Sequence, residues 1–235
     1  MATPRKLTVT DAHLAEALAG RAYLLFDGGM GTLVQAAGLH TVHEVPDLLN
    51  LTHPEAIVAI QRQYVEAGAD CITTNTFNTN RLKLANAGAT VAEVYAAAAA
   101  NARVAGAPLV AGDIGPTGAL LEPLGTLTFD EAFDIFSEQA RAAEAAGADY
   151  LGVGGVTGTA TKPEAGVLTP EEFRAIVAAV DIPVVAIGGV NAATMPRLSE
   201  LNVDGAAVVS AIFAADDIEA ATCELSRIID ETLGI

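Results

Sequence analysis

A short apolar run, a glycine-rich turn and an amphipathic or alanine-rich helix recur six times along this chain, and this alternation most constrains its fold. Short apolar runs bounded by Gly or Pro are typical of strands buried on both faces of a parallel sheet. Strands that alternate with helices predict right-handed β–α–β crossovers. We therefore predict an α/β fold, a TIM-barrel-like parallel (βα) repeat in which six strand–helix units are recognised instead of eight.

The predicted strands share an apolar centre, and they span residues 23–27, 70–75, 108–113, 149–153, 183–187 and 205–210. The predicted helices share an amphipathic or alanine-rich pattern, and they span residues 54–67, 91–105, 129–146, 170–179, 192–201 and 216–233. The sequence Thr169-Pro170-Glu171-Glu172 predicts a helix start, because a capping threonine precedes a proline and acids follow. Nothing resembles an interdomain linker, so we predict a single barrel-type domain over residues 1–235, with a change of sequence style near residue 147.

Composition narrows the classes of function. Hydrophobic residues make up 51% of the chain, but only 5% of residues are aromatic, so the core is expected to be aliphatic. The net charge of −17 excludes nucleic acid and anionic membranes as partners. No apolar run approaches the ~20 residues of a membrane-spanning helix, and the polar N-terminal segment differs from a secretory signal. Cys71 and Cys223 are too far apart for a CxxC motif, so we expect a cytoplasmic protein without disulfides. An open six-stranded sheet would expose strand edges, so we expect either a closed monomer or a homodimer that shields the edges.

Polar residues follow the predicted strands of the first half. Asp27 ends the first strand and precedes Gly28, Asn75 ends the second strand, and Asp113 ends the third. In barrels of parallel strands the functional groups lie at the carboxyl ends of the strands. These side chains are therefore candidates for binding a ligand, with the open backbone N–H groups of the glycines beside them.

The stretches FDGGMGT, PDLLNLTHPEAI, YVEAGADCITTNTFNTN and VAGDIGPTG together resemble the homocysteine S-methyltransferase family, over residues 1–147. The resemblance implies that Asp27, Gly28 and Asn75 are vestigial homocysteine-binding residues. It also implies a zinc ion held by three cysteines of the later strands, which keeps the substrate thiol deprotonated. The later half of this chain has no pair of adjacent cysteines and no cysteine at a strand end, so zinc is expected to be absent.

A second group of residues favours anion binding. Gly188 and Gly189 follow a predicted strand and precede a helix, and without Cβ atoms their backbone N–H groups can approach an anion closely. Thr159 and Thr161 stand beside Lys162, which is a local cation in an acidic chain. The loops after the last strands of a barrel are its usual phosphate site. A phosphate or phosphorylated small molecule is the predicted partner, and the alternative is a plain tight turn beside surface threonines.

The stretches DYLGVGGVTGTATKPEAG, VDIPVVAIGGVN and DGAAVVSAIFAADD resemble the C-terminal part of thiamine phosphate synthase, over residues 148–235. The resemblance implies a site for the phosphate of a thiazole phosphate, with Lys162 at the pyrophosphate of the second substrate. The implied phosphate-binding residues are Thr159, Thr161, Lys162, Gly188, Gly189, Val209 and Ser210. The early-strand residues with which that family binds a pyrimidine diphosphate and Mg²⁺ have no counterpart in residues 1–147, so Mg²⁺ is also expected to be absent.

These observations lead to one main hypothesis and two alternatives. The main hypothesis is an engineered or recombined barrel chimera that has no catalytic residues and no activity of either parent, but retains the phosphate site. The first alternative is an active transferase, similar to a homocysteine S-methyltransferase or to thiamine phosphate synthase. The second alternative is a binding module for a phosphorylated metabolite.

Overall fold

The computed structural model describes residues 8–19, 21–39, 45–157 and 169–233. The chain divides into two compact units, of which the first is Val9–Gly147 and the second contains the described residues from Ala148 onward. The division falls where the first sequence resemblance gives way to the second. That the whole chain forms a single barrel-type domain stays a prediction.

The first unit combines helices with a small parallel sheet. Its helices are α1 (Ala12–Leu18), α2 (Met30–Ala36), a 3₁₀ turn (Pro46–Leu48), α3 (Leu49–Thr52), α4 (Pro54–Glu66), α5 (Val91–Val104) and α6 (Phe129–Ala145). Strands β1 (Cys71–Thr73) and β2 (Leu109–Ala111) pair in parallel, with Ile72 beside Val110. The two strands therefore end at the same edge, and the loops that follow them are neighbours.

Helices α5 and α6 begin where their sequences provide caps. Thr90 accepts a hydrogen bond from the Glu93 amide at 3.2 Å, and the Glu93 carboxylate accepts one from the Thr90 amide at 2.8 Å. Thr128 and Glu131 form the same reciprocal pair at the start of α6. Each pair satisfies two amides that a helix start leaves without acceptors.

Aliphatic side chains hold the sheet of the first unit against the helices. Ile72 of β1 is fully buried and packs with Ala69 and with Ala102 of α5. A second cluster brings Ile57 and Ile60 of α4 together with side chains of α2 and α3. The small alanines of α5 let the helix lie close to the strand, as the aliphatic composition predicts.

The second unit contains a three-stranded parallel sheet. Its strands are β3 (Leu151–Gly154), β4 (Val184–Ile187) and β5 (Gly205–Ala206), in the order β3-β4-β5, and its helices are α7 (Pro170–Val177), a 3₁₀ helix (Met195–Glu200), α8 (Ser210–Phe213) and α9 (Ile218–Leu233). The central strand is the most buried, since Val184 and Ala186 have no exposed surface. Thr169 caps α7 in the predicted way. In the described part of the chain, no helix is long and apolar enough to cross a membrane.

The α/β class with parallel strands is confirmed, but the count of six units is not. The predicted strand 23–27 is reduced to a single parallel bridge between Phe26 and Cys71. The predicted strand 205–210 is only two residues long. The described residues therefore form five strands in two separate sheets, and no closed barrel is found among them.

The predicted helix 192–201 is also different, because it is a 3₁₀ helix over Met195–Glu200. The side chain of Asn191 explains the late start, since its Oδ1 accepts hydrogen bonds from the amides of Ala193 and Thr194 at 2.9 and 3.2 Å. Asparagine side chains compete with the helix for backbone amides in this way.

Candidate functional site

The loop after β3 runs beside the turn that follows β4. The amide of Val156 donates to the carbonyl of Ile187 at 3.4 Å, and the amide of Thr157 donates to the carbonyl of Gly188 at 3.2 Å. These two hydrogen bonds continue the pairing of β3 with β4 past the ends of both strands. The turn at Gly188 and Gly189 is therefore fixed at the carboxyl edge of the second unit's sheet.

Glycine is required at Gly188 for two reasons. Its φ angle is +91°, a conformation that residues with a side chain rarely adopt. A Cβ atom added there would lie 3.1 Å from Cα of Gly155, so the loop after β3 would have to move. Gly189 follows with a φ angle of +70°. The two glycines let the backbone after β4 turn sharply within contact distance of the neighbouring loop.

Three donors converge on the carbonyl oxygen of Gly189. They are Thr157 Oγ1 at 2.9 Å, Asn191 Nδ2 at 3.1 Å and Thr194 Oγ1 at 3.0 Å. Because the peptide bond is planar and trans, the N–H of Val190 must point to the opposite side of the same peptide. That N–H has no acceptor among the described residues. The arrangement therefore presents a backbone donor in a fixed direction.

Val209 and Ser210 lie at the same edge of the sheet. The amide of Ala207 donates to the carbonyl of Ala186 at 2.8 Å, which keeps the chain after β5 beside β4. Val209 is 59% exposed, and Ser210 begins the short helix α8. The structure thus brings four of the predicted phosphate-binding residues to one edge. The other three, which are Thr159, Thr161 and Lys162, lie outside the described residues.

The predicted homocysteine-binding residues lie in the first unit. Asp27 accepts hydrogen bonds from the amide of Thr73 at 2.9 Å and from its hydroxyl at 2.7 Å, so the carboxylate is held at the end of β1. Gly28 packs against Tyr64, whose hydroxyl would lie 2.9 Å from an added Cβ. Both residues are therefore positioned by contacts within the unit.

Asn75 is engaged in holding the loop after β1. Its Nδ2 donates to the carbonyl of Pro46 at 2.9 Å, and its own carbonyl accepts from Asn50 Nδ2 at 2.7 Å. The side chain is 9% exposed. Its amide nitrogen therefore joins the 3₁₀ turn to the strand end, while no partner of its Oδ1 is found among the described residues.

Asp47 is an important residue that the sequence did not single out. It is fully buried and accepts three hydrogen bonds, from the Asn78 amide at 2.7 Å, from Asn78 Nδ2 at 3.2 Å and from Thr79 Oγ1 at 2.8 Å. Burial raises the pKa of this carboxyl group, and the hydrogen bonds from Thr79 and Asn78 partly offset that rise. The only signal in the sequence was its place in the stretch PDLLNLTHPEAI.

Asp113 lies where the loops after β1 and β2 meet. Its carbonyl accepts from Thr76 Oγ1 at 2.7 Å and from Tyr95 Oη at 3.0 Å. Burial and the nearby Asp47 raise the pKa of the Asp113 carboxyl group. Burial, Asp113 and Asp47 likewise raise the pKa of the Tyr95 hydroxyl. Burial thus raises the pKa of each of these three groups, Asp47, Asp113 and Tyr95.

The cysteines do not fit the zinc site that the first resemblance implies. Cys71 is buried in β1, where burial and the charge of Asp27 raise the pKa of its thiol to about 11 and thus oppose a thiolate. Cys223 is exposed on α9. Among the described residues, no three His, Cys, Asp or Glu side chains are grouped to hold a metal ion, so the three-cysteine zinc site has no counterpart there.

A cleft of about 370 Å³ lies elsewhere in the first unit, between the turn at Arg81 and Leu82 and the start of α6. Apolar residues such as Leu127 and Ile135 line it together with the acidic Glu131 and Asp134. None of the predicted site residues lines it.

Two family models match the chain. The homocysteine S-methyltransferase model matches residues 24–160, and the thiamine monophosphate synthase model matches residues 136–212. The second match contains Gly188, Gly189, Val209 and Ser210. Both sequence resemblances are thereby confirmed, whereas a chimeric origin is not.

Curated relatives match about two fifths of the chain. The thiamine-phosphate synthase of Pyrococcus abyssi is 52% identical over 97 residues, which are 41% of this chain and 47% of that protein. The thiamine-phosphate synthase of Clostridium botulinum is 44% identical over 94 residues, which are 40% of this chain and 44% of that protein. The chain thus spans less than half the length of these relatives.

Solved structures agree on the fold. The oxidised form of the homocysteine methyltransferase MmuM from Escherichia coli superposes with a TM-score of 0.51 and 17% identity, covering 92% of this chain and 99% of that one. The homocysteine S-methyltransferase model matches more than half of the residues of this chain, and the chain therefore belongs to the homocysteine S-methyltransferase family.

Proposed function

We propose that the chain is a thiamine-phosphate-synthase-like transferase whose second unit binds the phosphate group of a phosphorylated thiazole. The observation that carries the proposal is the 52% identity to a thiamine-phosphate synthase over 97 residues. The family match over residues 136–212 includes the turn at Gly188 and Gly189 and the start of α8. The homocysteine S-methyltransferase model covers more of the chain than the thiamine monophosphate synthase model does. Membership of that family does not by itself assign an activity.

The geometry of the second unit supports this function. The carbonyl of Gly189 is held by three donors, and the N–H of Val190 on the other side of that peptide has no acceptor among the described residues. Backbone N–H groups at the carboxyl ends of parallel strands are the usual means by which such folds hold phosphate. In a chain of net charge −17, an anion must be held by local donors and not by the overall field.

Methyl transfer to homocysteine is less well supported. The first resemblance implies activation of the thiol on a metal held by three cysteines, and the chain has two cysteines, in unlike surroundings. The hypothesis of an engineered chimera without activity finds no support in the comparisons. The relatives instead favour the transferase that the sequence offered as an alternative.

A product assay tests the proposal. The protein is incubated with the phosphorylated thiazole, the pyrimidine diphosphate and Mg²⁺, and thiamine phosphate is measured against a heat-treated sample. We expect product above that control, and no methionine from homocysteine and a methyl donor. Methionine formation without thiamine phosphate would overturn the proposal.

A phosphate-binding module is the second candidate, and one observation favours it. The first 147 residues lack the early-strand groups with which the thiamine phosphate synthase family holds its second substrate. Saturable binding of the phosphorylated thiazole without product would select this candidate. Failure of both binding and turnover would reject the two candidates together.

A further inference from the structure

Lys83 of the first unit is held in one place by its neighbours. Its Nζ donates to Asn78 Oδ1 at 2.7 Å and lies 6.0 Å from the centre of the Phe77 ring. The turn at Gly118 covers its stem, since a Cβ added at Gly118 would lie 3.2 Å from Lys83 Cε. These contacts hold the half-buried ammonium group beside Asn78 and Phe77.

The ammonium group has no carboxylate partner among the described residues, although the chain carries 29 acidic residues against 12 basic ones. Arg81, only two positions away, pairs with Glu138 at 2.7 Å. Arg62 and Arg103 also lack a carboxylate partner among the described residues, but each donates to a backbone carbonyl, whereas Lys83 Nζ contacts a side-chain amide. A buried charge is normally paired, so a half-buried ammonium group without a carboxylate among the described residues is a candidate for binding an anion.

Asn78 accepts the hydrogen bond from Lys83 with its side-chain oxygen. Its Nδ2 donates to the buried carboxylate of Asp47 at 3.2 Å, which leaves Oδ1 directed at the ammonium group. An ammonium group has three donors, and this contact uses one of them. At least two N–H bonds of Lys83 therefore remain for a ligand.

The turn that covers Lys83 supplies further donors. The amides of Gly115, Thr117 and Gly118 have no acceptor among the described residues. Gly115 lies against the carbonyl of Phe77, so this turn and the loop that carries Asn78 are in contact. A φ angle of +83° at Gly118 gives the turn the left-handed residue found where consecutive amides surround an anion.

We propose that Lys83 and the turn Gly115–Gly118 bind an oxyanion group of a small molecule, either a carboxylate or a phosphate. We call this the Lys83 site. It belongs to the first unit, whereas the proposed thiazole phosphate site belongs to the second, so each can exist without the other. An oxyanion at the Lys83 site completes the ion pair that the described residues leave open and accepts from backbone amides, and such charge-assisted hydrogen bonds are stronger than those between neutral groups.

The experiment is a two-dimensional ¹⁵N NMR titration of the whole protein with sodium phosphate, sodium acetate and sodium chloride at equal ionic strength. We expect saturable shifts of the Gly118 and Asn78 amides with phosphate, acetate or both, at roughly millimolar strength, and none with chloride. Saturation by phosphate alone identifies a phosphate group as the ligand. Saturation by acetate as well shows that the site accepts a carboxylate as well as a phosphate.

Three variants make the test specific. Lys83→Met keeps an unbranched side chain but removes the charge. It should raise the dissociation constant of the oxyanion by at least about tenfold. Lys83→Arg should bind, because it retains a cation. Arg81→Met is the matched control, which removes a neighbouring cation already paired with Glu138 and should bind as the parent does.

The proposal is overturned if chloride produces the same shifts, or if Lys83→Met binds as the parent does. If Lys83→Met does not fold, the titration of the parent decides alone, since the absence of saturable shifts at Gly118 and Asn78 also overturns it.

Discussion

Thr73 holds the carboxylate of Asp27 with both of its donors, the amide at 2.9 Å and the hydroxyl at 2.7 Å. The strand predicted over residues 23–27 is reduced to one bridge, and this pair adds to the backbone hydrogen bonds that join Leu25 and Asp27 to Cys71. It joins the segment before Gly28 to the end of β1. The position of a predicted site residue thus depends on a contact across 46 positions of the sequence.

We expect Thr73→Val to lower the free energy of unfolding by about 1 kcal/mol, because it removes the hydroxyl donor and leaves the amide donor. Chemical denaturation measures the effect. Thr126→Val, at an exposed threonine of the same unit without a hydrogen-bond partner among the described residues, is the control. Equal midpoints for Thr73→Val and the parent would contradict the account of this pair.

Gln61 is fully buried on α4, and neither atom of its amide group has a hydrogen-bond partner among the described residues. A buried polar group without partners costs about 1–3 kcal/mol. Gln61→Met, which keeps an unbranched side chain of similar length, should therefore raise the free energy of unfolding by that order. Gln63→Met on the exposed face of the same helix should change it by less than about 0.5 kcal/mol. A loss of stability in Gln61→Met would show that the amide is paired.

The raised pKa of Asp113 gives a pH dependence with a definite sign. A carboxyl group whose pKa is higher in the folded protein binds its proton more tightly there. Its contribution to stability is complete below the unfolded pKa, near 3.8, and is lost as the pH rises through the folded pKa. The unfolding free energy of the parent should therefore fall relative to that of Asp113→Asn as the pH rises from about 4 towards 7.

Denaturation at several pH values measures this difference. Comparison with the variant is needed because Glu93 and Glu131, whose pKa values are lowered by hydrogen bonds to the caps of α5 and α6, act in the opposite direction. Asp216→Asn, which removes an exposed carboxylate just before α9, is the control. Parallel pH profiles for the parent and Asp113→Asn would refute the assignment.

Local signals in the sequence predicted the longer helices α4, α5, α6, α7 and α9, but not the short helices α1, α2, α3 and α8. Thr169 and Glu172 form the expected cap of α7, and helices α4 to α6 end within one residue of their predicted limits. These boundaries depend on residues three or four positions apart, which a sequence displays directly. The 3₁₀ helix at Met195–Glu200 was missed because the Asn191 side chain takes the amides that would begin an α-helix.

Contacts between distant residues were not predictable in this way. Asp47 meets Asn78 and Thr79 across more than thirty positions, and no period or motif in the chain indicates that contact. The turn at Gly188 and Gly189 was recognised because consecutive glycines after an apolar run have a clear physical use. The three donors that fix the Gly189 carbonyl come from two loops, and their convergence is visible only in the fold.

The cysteine content gives a prediction about metal. Two cysteines in unlike surroundings cannot supply three thiolates, so the purified protein should contain well under one equivalent of zinc by elemental analysis. A chelator should leave its melting temperature unchanged, because only a protein that is stabilised by a bound metal loses stability when the metal is removed. Stoichiometric zinc, or unfolding by the chelator, would contradict this prediction.

Two glycine variants test the phosphate site that we propose for the second unit. Gly188→Ala adds a Cβ 3.1 Å from Gly155 at a φ angle of +91°, so it should displace the turn. Gly152→Ala is the matched control, since a Cβ there meets nothing within 4 Å. Thr157→Val removes one of the three donors to the Gly189 carbonyl without adding bulk, and it covers the case in which Gly188→Ala does not fold.

The most direct measurement is calorimetric titration of these proteins with the phosphorylated thiazole and with the same thiazole lacking its phosphate. We predict saturable binding of the phosphorylated compound by the parent and by Gly152→Ala. Thr157→Val should bind it more weakly, and Gly188→Ala should not bind it. The unphosphorylated compound should bind to none of them. Equal affinity of the parent for the two compounds, or unchanged binding by both Gly188→Ala and Thr157→Val, would contradict the account.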